Sequence, residues 1–411
     1  MTTIAYEYPE EVVALKEGIA AFIRAEVIPR HEKHSALLTD LRRKYTAEGA
    51  YTPGVLALIK EIRVASAKAG YYAMSAPGDL GGGGLGYLAY MVAWEQIYHQ
   101  CGAHYWLGHY AVSHWAKGPS PVLKGMTPQL KGEALAPLVS GEHSMCFALS
   151  EPGAGSDAAM IKTRAERDGD GWRLTGSKIW ITNSPYAEWA VIFAVTNPEL
   201  AAKRKGGISA FMVPTSGTGF VIESLIKMWG HAGTDEAILR FDNMRIEPHQ
   251  LLGELDRGFK IAMLGVGLGR IYNSARAIGL ARWALEQAID YVKVRETFGK
   301  KIAEYQGVTF PLAESATQVH AAHLMTLNAA LLLDRGLPAV KELSMAKMYA
   351  VEAGKNAVDR AMQTHGAMGF TNEMYLTEAY TSLRKVNVAD GTNEILRHVV
   401  AKQLLAGDIE L

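Results

Sequence analysis

The run Phe147-Ala-Leu-Ser-Glu-Pro-Gly-Ala-Gly-Ser-Asp157 combines small residues, two glycines and hydroxyls at Ser150 and Ser156. Such a loop lets backbone N–H groups approach a planar heterocycle without side-chain obstruction. A second run, Gly176-Ser-Lys-Ile-Trp-Ile-Thr-Asn183, adds an indole at Trp180 and a hydroxyl at Thr182. Two residues apart on an extended segment, they fall on one strand face, where the indole can cover a ring and the hydroxyl can bond its edge. Gly, Pro, Ser and Asp are also the ordinary turn formers, so the first run taken alone reads equally well as a turn-rich loop. Near the C-terminus, Asp390 offers a carboxylate in Val388-Ala-Asp-Gly-Thr-Asn-Glu-Ile-Leu-Arg397. Its place ahead of Gly-Thr and the periodic apolar residues Ile395, Val399 and Leu404 also suits a turn or a helix N-cap.

The elements that must hold these residues follow from the hydrophobic period. From Glu10 to about Leu138 apolar residues recur at helical spacing, as in Val12, Leu15, Ile19, Phe22 and Ile23, with breaks at Pro29, at Pro53 and in the Pro77–Gly86 loop. Between Ser144 and Glu254 the pattern changes to short strand-like runs: Trp172–Thr175, Trp189–Val195, Ile208–Val213 and Ala237–Phe241. Asp168-Gly-Asp-Gly171 between two such segments is a hairpin signal. From Gly258 the helical period returns, with Ile278, Ala281, Leu285, Ile289 and Val292 on one face. The run Gly81–Gly84 lacks the lysine of a phosphate loop and reads as a flexible connection between helices.

Composition agrees with a large globular protein. The 411 residues are 49% hydrophobic, enough for about two or three cores. Lys plus Arg equals Asp plus Glu at 42 each, so no global basic field exists to hold nucleic acid or an anionic membrane. No stretch approaches the roughly 20 apolar residues that span a bilayer, and Met1–Tyr8 lacks a basic region followed by an apolar run, which reads as a cytosolic protein. Cys101 and Cys146 are far apart without metal-type spacing; neither a disulfide scaffold nor a zinc site is suggested, and both read as buried thiols.

With two further blocks in the same order, Arg295-Glu-Thr-Phe-Gly-Lys300 followed by Gln306 and Gln363-Thr-His-Gly-Ala-Met-Gly-Phe370, the chain resembles the acyl-CoA dehydrogenase family from about Gln96 to about Leu405. The resemblance implies an α+β fold: an N-terminal α-helical domain over residues 1–143, a central β-barrel-like domain over 144–254 and a C-terminal four-helix bundle over 255–411. It implies FAD as cofactor. Phe147, Leu149, Ser150, Gly155, Ser156, Trp180 and Thr182 match the residues that line the flavin. Arg295, Thr297, Phe298 and Gln306 match those that reach the FAD of a neighbouring subunit, where a guanidinium suits a pyrophosphate. Gln363, Gly366, Thr392 and Glu394 match the remaining cofactor contacts, and Ser156, Arg270 and Gly391 match substrate contacts. Ala367 stands where a second glycine is frequent, and His365, a lone histidine, reads as structural.

The implied reaction is oxidation of an acyl-CoA thioester at its α and β carbons. A base takes the α proton while the β hydrogen leaves as hydride to flavin N5, and a carboxylate is the usual agent. Asp390 matches the family's base loop, where most members carry Glu-Gly-Thr. Aspartate shortens the reach by roughly 1.5 Å, and misplacement on that scale costs about 100-fold in rate. Either the loop sits closer to the substrate, or the carbon acid is more acidic. Some branches of the family carry the base on a helix just before an arginine; that position is Gly269, before Arg270, so Asp390 stands alone. Where medium-chain members have an aspartate contacting substrate and a tyrosine beside the base, this chain has Gly267 and Ala389. Gly265, Gly267 and Gly269 each cost a helix up to about 1 kcal/mol relative to alanine. They serve either close helix packing or an acyl cavity enlarged for a branched, cyclic or bulky group.

The resemblance further implies an oxidoreductase acting on a CH–CH group in fatty or carboxylic acid catabolism. Its electrons would pass to an electron-transfer flavoprotein, and the chain would form a homo-oligomer, a dimer or a dimer of dimers such as a homotetramer. A related branch, the nitroalkane oxidases, uses aspartate against an intrinsically acidic carbon and reoxidises with dioxygen; Asp390 keeps that alternative open. A fold-sharing nucleic-acid-binding protein is the third reading, opposed by the charge balance.

Overall fold

Val12, Leu15, Ile19, Phe22 and Ile23, the first helical stripe of the sequence, are all buried, four of them on α1 (Glu10–Phe22) and Ile23 just beyond it. In the computed structural model residues 6–230 and 233–410 are described; residues 1–5, part of the segment read for a leader, lie outside them. After α1 come α2 (Ile28–Lys33), α3 (Ser35–Leu38), α4 (Leu41–Lys44), α5 (Pro53–Lys68), α6 (Tyr87–Cys101) and α7 (Pro128–Val139). The remainder are α8 (Pro198–Ala202), α9 (Gly258–Val294), α10 (Gln306–Asp334), α11 (Val340–Thr364), α12 (Leu376–Val386) and α13 (Asn393–Leu405). Among the described residues no helix is long and apolar enough to cross a membrane.

The chain divides into two compact units. Met1–Pro29, Gly86–His109 and Gly267–Leu411 form one, Arg30–Leu85 and Tyr110–Val266 the other. The first is helical. In it α10 packs along α11, α11 against α12 and α13, and both α1 and α10 against α6. The buried stripe of α9 consists largely of alanines, among them Ala277, Ala281, Ala284 and Ala288, which lets neighbouring helices come close. A Cβ on Gly354 of α11 would lie 2.8 Å from the Ala277 carbonyl oxygen, so glycine there is a packing requirement. Glu95 of α6 is 5% exposed, with Arg282 Nη1 at 2.8 Å and His323 Nδ1 at 2.7 Å. Burial pushes its carboxyl up, but His323 and Arg282 outweigh burial and hold it at about 2.

The second unit carries an eight-stranded sheet: β1 (Met145–Ala148), β2 (Arg164–Asp168), β3 (Gly171–Thr182), β4 (Trp189–Val195), β5 (Ile208–Pro214), β6 (Phe220–Leu225), β7 (Glu236–Ile246) and β8 (Leu251–Leu252). The strand order is β6-β7-β3-β2-β4-β5-β8, with β1 parallel to β4. The terminal strands β6 and β8 are not paired with each other, so the sheet is open where a barrel-like closure was expected. Its core holds Trp172, Leu174, Ile192, Phe211, Val213, Leu239 and Phe241. Asp168 and Gly171 pair across a two-residue turn with Gly169 at φ 61°, as the hairpin signal requires.

Two local expectations fail for physical reasons. At Pro29, expected to break the helix, the chain widens into a π-helical turn at Ile23–Val27 and continues into α2. Ile28 N–H donates to Ile23 O, and this offset makes room for a ring that would otherwise strike the preceding turn. The glycine run 81–84 is an ordered reverse turn: Gly83 N donates to Ala73 O at 3.1 Å, Gly84 N to Ala76 O at 2.9 Å and Leu85 N to Met74 O at 2.9 Å. A Cβ on Gly82 would collide with the Ala76 carbonyl, so the run serves close approach rather than flexibility.

Candidate active site

Asp390 lies on the loop between α12 and α13. Two successive residues there are left-handed, Asp390 at φ 53° and Gly391 at φ 97°. Glycine adopts this region freely, and aspartate is among the few side chains that tolerate it. Val388 N to Lys385 O (3.0 Å) and Asn393 N to Asn387 O (3.1 Å) close the turn. The N-cap of α13 is Thr392, whose Oγ1 accepts from Ile395 N at 3.2 Å. Capping therefore falls to Thr392, and the Asp390 carboxylate is left for other work.

Three buried or partly buried side chains converge on this loop. Asn273 Nδ2 donates to Asp390 Oδ2 at 2.7 Å. Arg270 Nε donates to the Asp390 carbonyl at 3.2 Å, and its Nη1 to Ser344 Oγ at 3.5 Å. Lys347, fully buried on α11, donates to the Gly391 carbonyl at 2.9 Å. Burial raises the Asp390 carboxyl to about 6, against the opposing pull of Lys347, Arg270 and the Asn273 amide. Burial likewise pushes the Lys347 ammonium down to about 8, opposed by Asp390, and lowers Arg270. A carboxylate poised near 6 is mostly ionised at neutral pH yet still basic enough to accept a proton.

Gly265, Gly267 and Gly269, all on α9, answer to three different causes. A Cβ on Gly265 would lie 2.6 Å from the Trp115 ring and 3.2 Å from Phe147, which is close packing. At Gly267 a Cβ would meet no atom within 4 Å among the described residues. On Gly269 it would collide with Asp390 Oδ2, and would lie 2.6 Å from the carboxyl carbon.

The second group of residues sits at the sheet. Phe147 packs its ring 4.9 Å from Trp115 and 4.8 Å from Phe193. Leu149 is buried, and the Ser150 carbonyl accepts from Ile179 N at 3.0 Å. The loop is pinned by a pair that the sequence reading passed over. Fully buried Lys178 donates to the Leu149 carbonyl at 2.9 Å and to Glu151 Oε1 at 2.8 Å, and Glu151 also accepts from Lys162 N (2.6 Å) and Thr163 N (3.0 Å). Burial lowers Lys178 to about 8; burial would raise Glu151, but the Lys178 charge and these donors bring it below the usual range. The available signal was a lysine inside the Gly-Ser-Lys-Ile-Trp run, just ahead of Ile179 on a strand.

Trp180 and Thr182 do not share a face in the simple way expected. Trp180 has φ 64°, and the β3–β7 register shifts between Lys178 and Ile181, so the period-two alternation is interrupted there. The indole is 54% exposed as a result. Cβ atoms on Gly153 or Gly155 would meet nothing within 4 Å, and the hydroxyls of Ser150, Ser156 and Thr182 make no hydrogen bond among the described residues. An exposed indole, an open glycine cradle and three unengaged hydroxyls fit a flat, hydrogen-bonding heterocycle such as the flavin of FAD.

The remaining matched residues lie in the helical unit. Arg295 follows α9 and is exposed, and the hairpin Glu296–Thr297/Lys300–Lys301 turns at Phe298 (φ 51°) and Gly299 (φ 79°), leaving Phe298 95% exposed at its tip. Gln306 opens α10, Gln363 lies in the last turn of α11, and Gly366 and Glu394 are surface positions. His365 is buried with Nδ1 2.8 Å from the Ala361 carbonyl, the structural role expected of it. Cys101 and Cys146 are buried free thiols.

Comparison with known proteins converges on one family. Residues 9–142 match the N-terminal domain of acyl-CoA dehydrogenases, 146–244 the middle domain and 256–405 the C-terminal domain. The short-chain specific acyl-CoA dehydrogenase of Bos taurus mitochondria is 39% identical over 97% of this chain and 91% of its own. The caffeyl-CoA reductase–Etf complex subunit CarC of Acetobacterium woodii is 34% identical over 84% of this chain and 90% of its own. The butyryl-CoA dehydrogenase of Megasphaera elsdenii has a solved structure that superposes with TM-score 0.81 at 26% identity, covering 98% of this chain and 100% of that one. By sequence and by fold, this chain belongs to the acyl-CoA dehydrogenase family of FAD-using oxidoreductases.

Proposed function

We propose that this enzyme carries out α,β-dehydrogenation of an acyl-CoA thioester with Asp390 as the base. The observation that carries the reading is the Asp390 carboxylate: one oxygen is held by Asn273, Oδ1 accepts no hydrogen bond among the described residues, and the group is poised near 6. Asp390 removes the α proton, so that the Cα–H electrons remain on the substrate to form the Cα=Cβ bond. Bound FAD supplies the two-electron acceptor that receives the β hydrogen as hydride.

Around that step the chain's residues hold and position. Phe147, Leu149, Ser150, Gly155, Ser156, Trp180 and Thr182 would line the flavin on the loop pinned by Lys178 and Glu151. Arg295, Thr297, Phe298, Gln306, Gln363, Gly366, Thr392 and Glu394 complete the cofactor contacts, those of the exposed hairpin reaching a second copy of the chain in a homo-oligomer. Ser156, Arg270 and Gly391 serve the thioester side. The open space at Gly267 favours a branched, cyclic or bulky acyl group. We assign the acceptor as an electron-transfer flavoprotein in the cytoplasm, a choice supported by the Etf complex named for the Acetobacterium relative.

The aspartate base favours one alternative, an oxidase acting on nitroalkanes. Anaerobic titration of the yellow protein distinguishes them: bleaching by an acyl-CoA and not by a nitroalkane is expected, and the reverse would remove the dehydrogenase reading.

A further inference from the structure

Asp390 is borne by a loop, but its carboxylate rests on α9. Gly269 and Asn273 are four residues apart on that helix and project from one face. At Gly269 a side chain would fill the volume the carboxylate occupies, with the carboxyl carbon 2.6 Å and Oδ1 3.0 Å from a Cβ. At Asn273, 3% exposed, Nδ2 donates to Oδ2 at 2.7 Å. The loop backbone is fixed from below by Arg270 on the Asp390 carbonyl and Lys347 on the Gly391 carbonyl. The remaining freedom is rotation of the short side chain. An amide anchored to one oxygen removes that freedom and makes the two oxygens inequivalent.

We propose that Gly269 and Asn273 form a seat on α9 that positions the base, Gly269 providing the gap and Asn273 the anchor, so that Oδ1 is the proton-accepting atom. Both are positioning residues. The seat compensates for the missing methylene of aspartate by fixing where the carboxylate lies, rather than by extending it. This inference rests on the reading of Asp390 as base and adds to it how a short side chain can serve.

The charged groups facing the site are Arg270 from α9 and Lys347 from α11, with Glu394 of α13 acting on Lys347. Against that fixed field, the Asn273 amide stabilises the ionised carboxylate, so its removal raises the proton affinity of Asp390. The acid limb of the reaction then moves to higher pH.

The test uses the FAD-loaded enzyme as wild type and as Asn273→Leu, Gly269→Ala and Asp390→Asn variants. Two readouts are taken across pH. One is single-turnover flavin reduction by the best thioester of a straight-chain, branched and arylpropionyl-CoA panel. The other, free of substrate, is infrared difference titration of the protonated-carboxyl band that Asp390→Asn abolishes. Asn273→Leu is expected to shift that titration upward by about one unit or more and to slow the limiting rate of reduction with little change in the thioester concentration that half-saturates it. Gly269→Ala, which displaces the carboxylate, should slow reduction by about 100-fold in a folded, yellow protein. If both variants keep wild-type reduction and titration while Asp390→Asn is inactive, the seat is wrong and the base stands. A slowed Asn273→Leu enzyme with an unmoved titration also refutes the anchor. Wild-type reduction by Asp390→Asn removes the base, and the seat with it.

Discussion

Lys178 Nζ lies 2.8 Å from Glu151 Oε1 with the lysine side chain fully buried and the glutamate 7% exposed. The pair joins β3 to the loop that carries Leu149, Ser150 and Ser156, because the same ammonium also binds the Leu149 carbonyl. Removing one member strands the other charge in a low-dielectric interior. Lys178→Met should therefore cost about 3–5 kcal/mol of stability. It should also lower the FAD content of the purified protein, since the loop proposed to line the flavin loses its anchor. Thermal unfolding and flavin absorbance per chain measure the two effects. An unchanged Tm would show that the pair is replaceable.

Asp390→Asn should keep the yellow flavin and bind ligand yet lose flavin reduction, because an amide of nearly the same shape cannot accept the α proton. In the wild type, reduction should fall as pH drops through about 6, where Asp390 protonates. Asp390→Glu tests the placement from the other side: with the carboxylate already resting on Gly269, an added methylene should misplace it and lower the rate.

The same carboxyl makes a stability prediction of opposite character. Its folded value, about 6, lies above the ordinary 3.8, so folding disfavours the ionised form. That penalty is fully present above pH 6 and vanishes below the unfolded value. The gap of roughly 2 units corresponds to at most about 3 kcal/mol. Asp390→Asn should accordingly be more stable than wild type at pH 7, and the gain should shrink away as pH falls to about 3. Denaturant unfolding at several pH values checks it; a variant less stable at pH 7 would contradict the sign.

Arg295 is exposed and has no ion pair among the described residues, and Phe298 presents an almost fully exposed ring two residues beyond the hairpin start. If this hairpin reaches a partner's cofactor, Arg295→Ala should weaken FAD retention with little change in fold, and loss of FAD should track dissociation in sedimentation. Tight stoichiometric FAD in a monomer would overturn the assignment.

Because a Cβ at Gly267 meets nothing, Gly267→Leu should fold at least as well as wild type, with helix propensity improved by up to about 1 kcal/mol. It should reduce kcat/KM for bulky acyl-CoA substrates by roughly 10-fold or more and spare short straight-chain ones. A uniform loss across the panel would place Gly267 away from the acyl group.

Much of the architecture was legible because period and turn chemistry are local. The helical stripe from Val12 to Ile23, the hairpin at Asp168–Gly171 and the return to helices at Gly258 could be read from spacing. The sheet's closure could not, since whether β6 meets β8 depends on strands far apart in sequence. Pro29 misled because its usual effect was absorbed by a π-helical turn, and the alternation argument for Trp180 failed at a bulge. In the site, motif residues were visible and their supports were not. Asn273, Lys347 and Lys178 reach Asp390, Gly391 and Glu151 across gaps of 117, 44 and 27 residues, and each looks like an ordinary helix or strand residue until the chain is folded.

The collision between a side chain at 269 and the carboxylate of Asp390 also constrains descent. The two positions compete for one volume, so a lineage cannot gain an acid on the helix while keeping the one on the loop. Nor can it discard the loop acid first without passing through an enzyme that has no acid at all. Each residue thus makes the other hard to replace, because a change at either position is felt at once at the other.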